Sequence, residues 1–308
     1  MNKLRVGVVG VGYLGGFHAK TYQEIESCSL VGVSDTNNTR LSEISRSLNI
    51  PGYGNHQDLF DKVDAVSITV PTILHHKIAL DFLRNNKHIL VEKPFTINLK
   101  EASSLIKEAK KRKLTLQVGH IERFNSAFSA TKKIINNPQF IECHRLSIFP
   151  KRSLDVGVVL DIMIHDIDII LGLVDSRIRR IESLGVKVLT NFEDIANARI
   201  TFANGCVANL TASRISDEVM RKIRIFQENT YISLDYKAAE ACVYRKGRLN
   251  ITKESLPIEE EQPLKKELES FIDCVKHHKQ PIVSGPVASQ ALAVALKIGK
   301  QICRKGKS

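Results

Sequence analysis

The order of apolar and polar positions divides the chain in two. In the first part, short apolar runs of strand length alternate with longer stretches of helical periodicity. KLRVGVVGVGYLGGFHAKTYQEI reads as a strand, a glycine-rich turn and an amphipathic helix. LVGVSD is a second strand ending at Asp35, and the pattern predicts a helix over 37–48. DAVSITV (64–70), HILVEK (88–93) and LTLQVG (114–119) read as further strands, separated by helices over 73–86 and 98–112. Apolar strands alternating with helices predict a parallel sheet covered on both faces.

From about residue 140 the period changes. FIECHRLSIF, ARITFANGCVANLTAS, MRKIRIFQENTYISLDY and ACVYRKG read as long strands. Asn204-Gly205 is a two-residue hairpin signal. After it Cys206, Ala208, Leu210 and Ala212 alternate with Val207, Asn209, Thr211 and Ser213, the period of a half-buried strand. Consecutive strands with short turns predict a mostly antiparallel sheet, and two helices (263–279 and 287–304) close the chain around QPIVSGP. The expected fold is therefore an α/β domain with a parallel sheet over 1–119 and an α+β domain over 120–308, the last helix being free to return to the first domain. No internal repeat is legible.

One segment resists this pattern. VVLDIMIHDIDIILGLV (158–174) reads as a buried helix, yet it carries Asp161, His165, Asp166 and Asp168. Buried charge is costly unless paired or put to use. Asp161 and His165 are four residues apart, on one helix face. Asp168 falls near the same face, where it would orient His165 or a neighbour. Asp166 points about 100° away, which suits a structural hydrogen bond or a cofactor-side contact.

Composition narrows the classes. Of 308 residues 43% are apolar and 25% charged, ordinary values for a globular chain. No apolar run reaches membrane-spanning length, and MNKLR leads into a strand without a signal-peptide pattern. The six cysteines are scattered without metal spacing, so reduced thiols, a cytoplasmic location and no metal are expected. The net charge of +12 fits attraction of a small anion as well as nucleic acid. KKRK and RIRR are short and lack interleaved aromatics or a recognition motif, so neither nucleic acid nor membrane is expected as a partner.

The chemistry begins at Gly10, Gly12 and Gly15, which stand in G-x-G-x-x-G spacing between strand and helix. The first permits a tight turn, the second lets a pyrophosphate approach, and the third lets helix and strand lie close. The helix N-terminus adds donors and positive potential for phosphates. Asp35, twenty residues past Gly15, is placed to bind the adenosine ribose and repel a 2′-phosphate, which favours NAD. Arg40 and Asn37 leave NADP open, and capping of the next helix is the alternative role for Asp35. Val70-Pro71-Thr72 and Glu92-Lys93-Pro94 fall at strand ends, where such sheets bind ligands.

These segments together resemble the Gfo/Idh/MocA family of nicotinamide-dependent oxidoreductases. VPTILHHKIALDFLRNNKHILVEKP is close to the family's T-P-N-x-x-H…E-K-P block, with Thr72 where the family usually has Asn. VGHIERFN, LDIMIHDIDI and ELESFIDCVKHHKQPIVSGPVASQALAVA resemble later family segments, so the likeness spans nearly the whole chain. The resemblance implies a Rossmann domain and a C-terminal domain whose open sheet makes homodimer or homotetramer contacts. It also implies hydride transfer between NAD(P) and a sugar or polyol carbon. DVGVVLDIMIHDIDIILGLV and the strands after it look most like the branch that oxidises the 3-hydroxyl of UDP-N-acetylglucosamine, a step toward amino sugars of lipid A or surface polysaccharide. A dehydrogenase of a free sugar or polyol such as inositol is the enzyme alternative. A non-catalytic NAD(P)-binding regulator is the alternative of another class.

Alcohol oxidation needs a base with a pKa near neutrality, which suits His165. Asp161 would stabilise its imidazolium or bind substrate, and Lys93 would steady the developing oxyanion. Pro94 fixes the turn that presents Lys93, a cis bond being one way to do so, and Glu92 would anchor ribose or lysine. Tyr13 and Leu14 are expected against the cofactor, with His75 and His120 beside it. Arg123, Arg152 and Arg214 are candidates for substrate, the last two for a diphosphate. The competing roles are a surface lysine at 93, a structural or metal-binding pair at 161 and 165, and surface arginines.

Overall fold

The computed structural model describes residues 3–149, 156–248, 250–258 and 262–305. They form two compact units, Met1–Ile121 with Gln262–Ser289, and Glu122–Glu261 with Gln290–Ser308.

The first unit is a six-stranded sheet in the order β3-β2-β1-β4-β5-β6, parallel throughout. Its strands are β1 (Leu4–Val9), β2 (Cys28–Ser34), β3 (Gly52–Tyr53), β4 (Ala65–Ile68), β5 (His88–Glu92) and β6 (Leu116–Gly119). The helices between them are α1 (Tyr13–Glu24), α2 (Asn38–Leu48), α3 (Thr72–Arg84) and α4 (Leu99–Arg112). α2 starts where Asn37 accepts a hydrogen bond from the Arg40 amide, and α4 where Asn98 accepts from Glu101. These are N-caps of the preferred type. Capping of α2 thus falls to Asn37 and leaves Asp35 for other work.

The helix α7 (Pro263–His277) also belongs to this unit. Its Leu268, Phe271, Ile272 and Val275 join Val6, Val8, Tyr22, Val33 and Leu90 in one buried cluster. The expected division at 119/120 is corrected accordingly. Residues 262–289 return to the first unit because α7 carries the apolar stripe that covers that sheet face. The last helix, α8 (Gly285–Lys305), divides at residue 289 between the two units.

The second unit is built on an eight-stranded sheet, β14-β13-β12-β11-β7-β10-β9-β8. The strands are β7 (Phe140–Leu146), β8 (Ile178–Val186), β9 (Ile195–Phe202), β10 (Val207–Ser213), β11 (Met220–Gln227), β12 (Thr230–Asp235), β13 (Glu240–Lys246) and β14 (Ile251–Ser255). All neighbours are antiparallel except β7 and β10. Before the sheet comes the short α5 (Ser126–Lys132), and between β7 and β8 a π-helical turn (Val159–Met163) runs into α6 (Ile164–Leu173). One sheet face buries Ile141, Ala208, Leu210, Ile223, Ile225 and Ile232 against Val159, Met163, Ile167 and Ile170. The other face carries a cross-strand row of Phe140, Phe226, Tyr231 and Tyr244, with ring centroids 4.8–5.6 Å apart.

The Asn204-Gly205 hairpin differs from the expected two-residue turn. Phe202 N–H donates to the Cys206 carbonyl, which closes a three-residue loop, and Gly205 takes the positive φ of 91°. That is the geometry of a turn followed by a glycine bulge. MRKIRIFQENTYISLDY, expected as one strand, folds back at Asn229 (φ 55°) into β11 and β12.

Candidate active site

In the first unit, the loops at the C-terminal ends of β1, β2, β4 and β5 share one sheet edge. Gly10 has φ 86°, and a Cβ there would lie 2.8 Å from Val70 Cγ1 and 2.9 Å from Val70 N. A Cβ on Gly15 would fall 1.8 Å from the Gly10 carbonyl oxygen, so α1 starts in backbone contact with the turn. Gly12 faces open space, as a cradle for a pyrophosphate requires. The Thr69 hydroxyl bonds to the carbonyls of Val9 and Gly10 and ties β4 to this turn.

Asp35 holds the same turn from β2. Its Oδ2 accepts from the Val11 amide at 2.7 Å and its Oδ1 from the Asn37 amide at 2.8 Å. Arg40 donates to the Val11 carbonyl at 2.9 Å, to the Gly12 carbonyl at 3.4 Å and to Glu43 at 2.7 Å. The expected cofactor residues Asp35 and Arg40 therefore both brace the glycine turn. Tyr13, Leu14, Phe17, Ile73 and Leu74 are large apolar side chains exposed around the starts of α1 and α3. Tyr13 packs edge-on against Phe17. Such apolar exposure beside a positive-φ glycine turn and a carboxylate fits a dinucleotide with planar rings.

Val70 and Pro71 lead into α3, whose first residue, Thr72, is buried. His75 is buried too: its Nδ1 lies 3.0 Å from the Pro94 carbonyl and its Nε2 2.9 Å from that of Val70. Burial pushes its pKa down against the pull of those carbonyls. His75, expected beside the cofactor, lies with its two ring nitrogens against backbone carbonyls and so links the 70–72 turn to the 92–94 turn. The Lys93–Pro94 bond is cis. Glu92 Oε2 accepts from the Lys93 amide at 3.1 Å, and Oε1 lies 3.1 Å from His18 Nε2 on α1. Burial works against ionisation of Glu92, but His18 and Lys93 outweigh it and hold the carboxyl below its usual range. His120, just past β6, is buried. A separate cavity of about 540 Å³, lined by Lys113, Thr115, His278 and Pro286, lies at the N-terminal end of β6, the wrong sheet edge for the cofactor.

In the second unit the four charges of 158–174 separate. Asp161 lies in the π turn and His165 in the first turn of α6, both half-buried. A π turn holds one extra residue, so α-helical spacing alone does not set their alignment, and π turns recur at functional sites. Asp166 is buried against Arg145, which donates to it at 2.7–3.1 Å and to Glu122 at 2.6 Å. Burial disfavours the Arg145 cation, but the two carboxylates outweigh it and hold the guanidinium protonated. Asp168 is paired with Arg123 through Nε at 2.5 Å and Nη2 at 3.1 Å. Of the two roles expected for Asp168, orienting His165 or a neighbour, the structure shows a neighbour, Arg123, which was expected at substrate and here has a structural partner. A Cβ on Gly172 would fall 1.8 Å from Arg123 Nη1, so the glycine makes room for that pair.

Arg214 is also corrected. It is fully buried and donates to Asp194 at 2.9 Å, the Val156 carbonyl at 2.9 Å and Thr190 at 2.9 Å. A guanidinium so enclosed holds the 186–194 loop and cannot reach a diphosphate. Arg152 lies outside the described residues. The six cysteines are free thiols. Among the described residues no cluster of three or more His, Cys, Asp or Glu could hold a metal, and no helix is long and apolar enough to cross a membrane. Sequence reading missed His18, Thr69, Glu122, Arg145 and Gly172; only the last, a glycine interrupting an apolar helix, left a signal.

Comparison with known proteins agrees with this geometry. Residues 4–120 match the family model of the oxidoreductase family with an NAD-binding Rossmann fold, and residues 115–233 that of the GFO/IDH/MocA C-terminal domain. UDP-N-acetylglucosamine 3-dehydrogenase of Acidithiobacillus ferrooxidans is 35% identical over 97% of this chain and 97% of its own. The solved structure of that enzyme, GnnA, superposes with a TM-score of 0.92 over 98% of both chains. Myo-inositol 2-dehydrogenase of Thermotoga maritima is 27% identical over 98% of this chain and 97% of its own. With a matching cofactor cradle, both family domains and full-length relatives, the chain belongs to the Gfo/Idh/MocA family of NAD-dependent oxidoreductases.

Proposed function

We propose that the protein oxidises the 3-hydroxyl of UDP-N-acetylglucosamine to a 3-keto sugar with NAD as acceptor. The observation that carries this reading is the 35% identity to a dehydrogenase of that substrate across 97% of both chains. Asp35 at the end of β2, bonded to the Val11 amide of the glycine turn, supports NAD over NADP, because an acid at this place in a dinucleotide fold repels a 2′-phosphate. Arg40, the cation that would favour NADP, is engaged with two carbonyls and Glu43.

When bound, NAD accepts the hydride. The protein residues handle the proton and the charge. His165 is the general base for the hydroxyl proton, and Asp161 stabilises the imidazolium that forms. The Lys93 ammonium balances the negative charge developing on the oxygen. Glu92 and His75 hold the Lys93 turn through the bonds described above. We place homo-oligomer contacts on the aromatic face of the second sheet, and the protein in the cytoplasm, where free thiols persist.

The test is turnover of UDP-N-acetylglucosamine by purified protein, read as NADH formation when NAD is added or, in a separate assay in which a 2-oxoacid reoxidises bound cofactor, as 2-hydroxy acid and 3-keto sugar formed together, with myo-inositol in parallel. The nucleotide sugar should exceed myo-inositol by at least about tenfold in kcat/KM. Absence of turnover with any UDP-sugar overturns the substrate, and preference for myo-inositol establishes the polyol reading.

A further inference from the structure

The first unit contains a layer of buried polar groups that this reaction does not use. In register across the sheet stand Ser67 of β4, Leu90 of β5 and Gln117 of β6, with Glu92 opposite Gly119 one step further on the same face. α1 and α7 cover that face, placing Tyr22 and Leu268 against Leu90. The Tyr22 hydroxyl lies 2.8 Å from Ser67 Oγ, and His18, one turn earlier on α1, meets Glu92. Gln117 Nε2 donates at 3.1 Å to the carbonyl of Glu267 on α7. Glu267 itself is fully buried, and neither of its carboxyl oxygens has a hydrogen-bond partner among the described residues.

Glu92 and Glu267 are both buried, and two buried like charges disfavour one another, so one carboxyl keeps a proton. Glu92 has His18, the Lys93 amide and the Lys93 charge to stabilise its anion. Glu267 has no such partner. We propose that Glu267 is a positioning residue for the Lys93 turn: it stays a neutral carboxylic acid, so that Glu92 carries the layer's single negative charge and remains bonded to His18 and the Lys93 amide. Burial first, and the Glu92 charge second, push the Glu267 carboxyl well above its usual range. Burial likewise keeps the Tyr22 phenol neutral. The titratable groups facing Glu267 are thus Glu92 and Tyr22, with His18 and Lys93 acting through Glu92. If Glu267 ionised, its charge would oppose that of Glu92, favour protonation of Glu92 and so weaken the bonds that hold the turn.

This inference rests on Lys93 being a site residue, as read above, but its test needs no sugar. Infrared difference spectra of the full-length protein should show the carbonyl stretch of a protonated carboxylic acid at neutral pH, absent in Glu267→Gln. In Glu92→Gln that band should disappear at a lower pH than in the wild type. NAD affinity should fall at least about fivefold in Glu267→Ala and be rescued by Glu267→Gln, an amide of the same shape. Wild-type NAD affinity should weaken at alkaline pH, and Glu267→Gln should lack that limb. The proposal is overturned if the band is missing from the wild type, if it ignores Glu92→Gln, or if the glutamine variant fails to rescue. Should Glu267→Ala not fold, the spectra and the pH limb of the glutamine variant decide alone. Failure of every UDP-sugar in the turnover assay leaves these readouts intact.

Discussion

Arg123 lies across both the carboxylate and the backbone carbonyl of Asp168, with Nη2 2.7 Å from that carbonyl and both side chains almost fully enclosed. Removing one partner would leave an uncompensated buried charge, which typically costs about 3–5 kcal/mol. Arg123→Ala should therefore lower the urea unfolding free energy by about that amount. Gly172→Ala, which drives a methyl into the guanidinium, should act in the same direction. A loss below about 1 kcal/mol for Arg123→Ala would mean that the pair is a weak surface-type bridge.

His165→Asn should lower kcat by about 10²–10⁴, the usual contribution of a general base, while NADH titration still saturates. Normal turnover in that variant removes His165 from the mechanism.

Asp35→Asn keeps an acceptor for the glycine turn and removes the charge. The ratio of NADP to NAD affinity should rise by about tenfold or more, equivalent to roughly 1.4 kcal/mol. Parallel fluorescence titrations with NADH and NADPH read it directly, and an unchanged ratio assigns Asp35 to bracing the turn alone.

Asp194 provides a pH prediction. Burial opposes its ionisation, but amide hydrogen bonds from Thr190, Leu189 and Val188 and the Thr190 hydroxyl outweigh it and hold the carboxyl far below its usual range. A depressed carboxylate contributes stability that is complete above the unfolded value, about 3.9, and is lost as pH falls through the folded value. Denaturation midpoints should therefore drop on acidification below about pH 4, and Asp194→Asn should be less stable at pH 7 with a flatter acid limb. A parallel acid limb in the variant would show that other carboxylates set it.

What could be read in advance was local. The Gly10–Gly15 spacing, the strand–helix alternation and the alternation along 206–213 depend on neighbours in sequence, and they delivered the Rossmann sheet and the second sheet. The partners of Asp166 and Asp168 could not be read, because Arg145 and Arg123 lie 21 and 45 residues away with no spacing rule to connect them. The same holds for His18 and Glu92, 74 residues apart. The edge strand β14 escaped because its five exposed residues, ITKES, bury no face and so carry no period. Arg214 was misjudged because arginine is mostly a surface residue, and only Asp194 with the Thr190 loop explains its enclosure.

The return of residues 262–289 to the first unit bears on how the chain is made. On the ribosome, the nucleotide-binding sheet is complete in sequence once β6 has emerged, but Leu268, Phe271 and Ile272 follow only after about 150 more residues. At synthesis rates of about 5–20 residues per second, that face waits roughly 8–30 seconds for its cover. The first unit is therefore finished only after residues 122–261 of the second have been synthesised, and the gene cannot be cut after β6 without leaving the earlier part unsealed.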